Sequence, residues 1–168
     1  MLSAVLPATI ACSTHLVTSA PGPPAAPLVW AAGESVCVVQ PEDGGVGDTL
    51  WSGSGATVAN RVERVVRANR QVNVILVEER SHGLRACAAR HGRYAIVPVI
   101  LRWQRHDGPL FYSESAQVRM DLQRVDDREV LRSISFETRS SRPNVLVSPH
   151  DLLPKEFDDA VLRLLPSG

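Results

Sequence analysis

Apolar and polar positions alternate most regularly in SAQVRMDLQRVD, with Val118, Met120 and Leu122 on one side and Arg119, Asp121 and Gln123 on the other. A period of two marks a strand with one buried and one solvated face. Asp126-Asp127-Arg128 then turns the chain, and EVLRSISFETR returns as an antiparallel partner. Two shorter runs, SVCVVQ at 35–40 and VNVILVEE at 72–79, are rich in β-branched residues and read as buried strands, the first stopped by Pro41. The most apolar run is YAIVPVILRW, from Tyr94 to Trp103, which predicts a central strand. Pro98 inside it argues for a bulge or an edge.

The period becomes helical over 56–69, ATVANRVERVVRAN, where Val58, Val62, Val65 and Val66 oppose Arg61, Glu63, Arg64 and Arg67. SHGLRACAARHG, residues 81–92, predicts a short helix closed by Gly92. DLLPKEFDDAVLRLL, residues 151–165, predicts a last helix with Leu152, Leu153, Phe157, Val161 and Leu164 inward and Pro154 in its first turn. The order is β-α-β-α-β-β-β-α: an α/β (α+β) fold with a mixed sheet of about five strands and its helices packed on one face. The early βαβ units should be parallel and the last strands an antiparallel meander. Residues 34–168 form this single domain.

Length and charge narrow the classes. The chain has 168 residues, enough for one domain with a real core. Acidic and basic residues balance at 18 each, so no global field draws in nucleic acid. Arg61, Arg64, Arg67 and Arg70 recur every third residue, and the solvated face of an amphipathic helix describes them better than a phosphate or lipid contact. No run is long enough to be a membrane-spanning helix.

The three cysteines, Cys12, Cys37 and Cys87, include no C-x-x-C pair. Cys37 lies in a strand pattern and Cys87 on an apolar helix face, so separate buried small hydrophobes describe them better than a disulfide. Cys12 ends LPATIAC, with apolar residues upstream and small Ala11 before it, as in a lipobox. Residues 1–12 then read as a lipoprotein signal ending at the lipid-attachment point, and 13–33, with APGPPAAP at 20–27, as a Pro-rich flexible tether. Against this, no Lys or Arg precedes Cys12, and the apolar segment is short for a signal.

Catalytic signatures are missing from the sequence. The histidines at 15, 82, 91, 106 and 150 share no metal-ligand spacing, so no metal and no cofactor is expected. There is no G-x-S-x-G and no Gly-Lys-Ser/Thr. Gly53-Ser54-Gly55 at a helix start could present backbone N–H groups to phosphate, with Glu78 ending the next strand as a ribose carboxylate would. Val58 stands where the third glycine belongs, and the glycines come long after the strand, so a ligand-free glycine-rich turn is the better reading. The loop 41–55 is long and acidic and holds Trp51, which suits partner contact through Glu42, Asp43 and Trp51 as well as a plug folded back on the core. Trp103, Phe111 and Tyr112, around His106-Asp107-Gly108-Pro109, form a second candidate contact region.

Several of these segments together resemble a family. Pro41-Glu42-Asp43-Gly44, Trp51-Ser52-Gly53-Ser54-Gly55, Tyr94 to Trp103, Val118 to Leu122 and His150-Asp151-Leu152-Leu153-Pro154, in that order and spacing, resemble the bacterial lipoproteins of domain of unknown function 4823. Gln104-Arg105 and Ser148-Pro149-His150-Asp151 depart from the family's pattern. The resemblance implies a fold like the N-terminal domain of TolB and a lipidated Cys12. It also implies the periplasmic face of the outer membrane, because Ser13 rather than Asp follows the cysteine. The expectation is a non-catalytic binding or assembly module whose partners are unknown envelope proteins and, through its anchor, the lipid bilayer. The alternatives are a soluble phosphate- or nucleotide-binding domain and a cytoplasmic location.

Overall fold

The computed structural model describes residues 12–20, 29–31, 33–69, 72–78, 82–107, 111–143 and 152–166. In chain order the elements are β1 (Cys12–Ala20), β2 (Ser35–Val39), β3 (Gly45–Val46), β4 (Thr49–Leu50), α1 (Ser54–Asn69), β5 (Asn73–Val77), α2 (Gly83–Ala89), β6 (Tyr94–Asp107), β7 (Phe111–Arg124), β8 (Val130–Pro143) and α3 (Lys155–Leu164). The five expected strands are β2, β5, β6, β7 and β8. A sixth joins them, giving the order β1-β8-β7-β6-β2-β5. β2 is parallel to both β5 and β6, and β6-β7-β8 is the expected antiparallel meander.

β1 corrects the tether reading for part of its length. Residues 12–20 pair antiparallel with β8, from Cys12 opposite Ser141 to Ala20 opposite Ser133. The proline-rich residues 21–28 and the signal residues 1–11 lie outside the described residues. In sequence the proline-rich stretch therefore links two strands of one sheet.

Alternation along the parallel strands feeds two separate cores. Val36 and Val38 of β2 and Ile96 of β6 face the larger one, with Val58, Val62 and Val66 of α1 and Phe157, Val161 and Leu164 of α3. Phe136 of β8 meets Phe157 edge to face, their ring centroids 5.3 Å apart. Cys37, Val39 and Ala95 face the opposite way, onto Ala86 and Cys87 of α2. The helices thus cover both faces, with α1 and α3 on one and α2 on the other, which corrects the expectation of helices packed on one face only.

Cys37 and Cys87 are bonded across that second face as a disulfide, with Cα atoms 5.9 Å apart, which corrects the reading of two separate thiols. Gly92 does not supply the left-handed residue that ends α2. His91 does, at φ 59°, and the amides of His91 and Gly92 donate to the carbonyls of Ala88 and Cys87 in a Schellman arrangement. Gly92 has another reason to be glycine, because a Cβ there would overlap both disulfide sulfurs.

Pro98 sits in β6 two residues past Ile96, the last residue paired with β2, where the strand has a single ladder neighbour. The register shift falls just beyond, between Ile100 and Arg102. On the opposite flank of the sheet, β5 is an edge. Its Val77 carbonyl accepts from the Gln40 amide, so those of Val74 and Leu76 point outward, where Arg67 and Arg90 donate to them at 3.2 and 3.0 Å. Two charged side chains thus lie along the edge where another strand could pair.

Candidate functional site

Residues 41–55 carry most of the sequence-predicted site residues. Here α1 begins against the end of β2, and a helix start leaves amides without partners. Asp43 fills that place: its Oδ1 accepts from the Gly55 amide at 2.8 Å and its Oδ2 from the Gly53 amide at 3.2 Å. Ser54 Oγ accepts from the Gly44 amide at 2.8 Å, which ties loop and helix reciprocally. Gly53 takes φ +84°, a left-handed conformation that suits glycine, and a Cβ on Gly55 would overlap the Pro41 carbonyl. The glycines serve this internal cap. The phosphate reading of Gly53, Ser54 and Gly55 is corrected accordingly: the chain's own carboxylate holds the anion position and would repel a second anion. Glu78 is exposed just past the end of β5.

The contact candidates separate in the same way. Trp103 is buried in the larger core, so it is not available to a partner. Trp51 is half-buried and packs against the same core, which favours the plug reading. Asp43 is engaged as the cap, while Glu42 is exposed. Phe111 and Tyr112 open β7, pairing with Pro143 and Arg142 in the backbone ladder; their side chains and residues 108–110 lie outside the described residues. Cys12 is the first residue of β1, which places the candidate lipid-attachment point directly on the sheet.

Other residues make the surface that the sequence reading missed. β3 and β4 form a tight hairpin within the 41–55 loop, and Gly44 at its base packs against Ile100 and Trp103 of β6. Val46 and Leu50 of the hairpin are exposed, at 46% and 70%, as is Leu101 of β6 at 49%. Three large apolar side chains thus stand out on neighbouring elements. The sequence did hold a signal, since Leu101 breaks the inward alternation of its strand at the bulge. Val46 and Leu50 stand among glycines and acids and carry no periodicity.

Two arginines of the α1 stripe are neutralised. Arg61 makes a two-pronged contact with Asp158 of α3 at 2.6 and 2.9 Å, and Arg67 meets Glu63 at 2.6 Å. Among the described residues no three His, Cys, Asp or Glu side chains gather as metal ligands would, and no helix is long and apolar enough to cross a membrane.

This architecture, a small mixed α/β sheet with helices on both faces, is found in known structures. No family model matches the chain, and no curated protein matches it. Among solved structures it is similar to the PelC dodecamer from Paraburkholderia phytofirmans, at 16% identity and TM-score 0.57 over 90% of this chain and 95% of that one. It is also similar to lipoprotein GNA1162 from Neisseria meningitidis, at 13% identity and TM-score 0.50 over 77% of this chain and 96% of the other. These likenesses are likenesses of fold.

Proposed function

We propose that the chain is a non-catalytic assembly module of the bacterial cell envelope, lipidated at Cys12 and held at the periplasmic face of the outer membrane. It belongs, on this reading, with the lipoproteins of domain of unknown function 4823 that its sequence resembles. The observation that carries the reading is the disulfide between Cys37 and Cys87, buried in the second core. Structural disulfides persist in oxidising compartments such as the periplasm and are rare in the cytosol. The fold likeness to a Neisseria lipoprotein supports the same location, and the likeness to a dodecamer supports action by assembly. Val46, Leu50 and Leu101 supply exposed apolar area for a protein partner, copies of the chain included.

The test is palmitate labelling with membrane fractionation in the native host, from the gene with its upstream codons, beside Cys12→Ala. Label that disappears in the variant supports the anchor. An unlabelled protein recovered in the cytosol overturns it and leaves the cytoplasmic alternative. Mass photometry of the purified domain, with and without Leu50→Asp, tests assembly: oligomers lost in the variant support the hairpin as the contact.

A further inference from the structure

On the α2 face, a cleft of about 360 Å³ opens between α2 and the turn joining β7 to β8. It is lined by Val39, Gly83, Leu84 and Val97 and by the exposed His82, Arg85 and Arg128, a mixed apolar and polar surface. A concave site of this volume that joins apolar side chains to a few polar groups can hold a small ligand.

The charge pattern of the rim gives the ligand's chemistry. Several of the chain's arginines are neutralised: Arg61 meets Asp158, Arg67 meets Glu63, Arg93 meets Glu34, and Arg124 meets Asp127 and Glu129. Arg85 and Arg128, like Arg64, Arg102 and Arg163, meet no carboxylate among the described residues, and these two border one cleft. Arg128 also holds a left-handed backbone at φ 60°, which glycine or asparagine would adopt at lower cost. An arginine occupies this left-handed position, and it lines the cleft. Guanidinium groups recognise planar or tetrahedral oxyanions through paired N–H donors. We infer that this cleft binds a small ligand bearing one phosphate or carboxylate group on an apolar body, the anion between Arg85 and Arg128 and the body on Val39, Leu84 and Val97.

The experiment is an NMR titration of the isotope-labelled protein, disulfide intact, with phenyl phosphate, benzoate and uncharged benzyl alcohol. Saturable shifts of the Val39, Leu84 and Val97 methyl signals are expected with one or both anions, and the tighter of the two identifies the head group. Arg85→Gln and Arg128→Gly should each weaken that binding about tenfold. Arg128→Gly relieves the backbone strain, so its loss of binding cannot be ascribed to unfolding. Three results would overturn the assignment: no saturable shift with either anion at millimolar concentration, unchanged affinity in both variants, or benzyl alcohol binding as well as the anions.

Discussion

The helices α1 and α2 lie on opposite faces of one sheet and are fastened by different means. α1 has 16 residues, buries four valines against the larger core and is capped at its start by Asp43. α2 has seven residues, buries only Gly83, Ala86 and Cys87, and has no side-chain cap. A one-sided stripe of large apolar residues anchors a helix by area removed from water. A stripe of alanine and cysteine offers too little area, and a covalent link to the β2 strand makes up the difference. One protein thus uses burial where its helix is long and a crosslink where its helix is short. The comparison also says which face depends on redox conditions.

The largest expected effect lies on the burial side. Phe157→Ala removes a fully buried ring and its edge-to-face partner on Phe136, and should cost about 3–5 kcal/mol in denaturant unfolding. Replacing both Cys37 and Cys87 with Ala should cost about 4 kcal/mol, the chain-entropy value for a loop of 50 residues. The two changes are comparable in size and differ in place. Hydrogen exchange in the cysteine variant should rise first over α2, with α1 still protected. A loss below about 1 kcal/mol with α2 still protected would show that apolar contact alone holds that helix, and the comparison would break.

What the sequence disclosed follows from the same physics. The meander was legible because Val118, Met120 and Leu122 alternate with charged residues over a long stretch, and α1 and α3 because their apolar stripes are wide. The face chosen by α2 was not legible: seven residues with three small buried ones carry too little pattern to point anywhere. The disulfide was hidden for a related reason, since Cys37 and Cys87 each look like a small core residue until the crossover of α2 brings them together. β1 was obscured by Ser13, Thr14 and His15, polar residues that suit an exposed edge strand as well as a tether. Asp43 was read as a contact because sequence gives no sign that a residue ten positions before Gly53 returns to cap it. Arg85 and Arg128 come from separate elements, and only the fold places them on one cleft.

A smaller effect sharpens the contrast at the helix starts. Asp43→Ala should cost about 1 kcal/mol, the usual value for losing a capping side chain. It also frees the amides of Gly53 and Gly55. The variant should therefore gain weak sulfate or phosphate affinity at α1 that the parent lacks, readable as amide shifts at those two glycines. Absence of the gain would mean that the glycine turn collapses once its carboxylate is gone.

The smallest effect belongs to the turn between β7 and β8, which carries Val125 into the second core and Arg128 to its cleft. Asp127 is held below its ordinary value of 3.8, first by the Glu129 amide, which donates to it at 3.0 Å, and then by the Arg124 guanidinium at 2.6 Å. A carboxylate whose folded pKa is depressed stabilises the fold above its unfolded value, and the contribution is lost as pH falls through the folded value. Asp127 and Arg124 pair at the surface, so the effect on global stability is small and salt-sensitive. It should be visible locally. Between neutral pH and the region below 3.8, the Glu129 amide signal should move as Asp127 protonates, and Asp127→Asn should flatten that dependence. If acid also loosens α2 while α1 stays unchanged, the turn is part of what fastens the second face. If both helices respond alike, the turn is only a loop end, and the disulfide alone accounts for the difference between the faces.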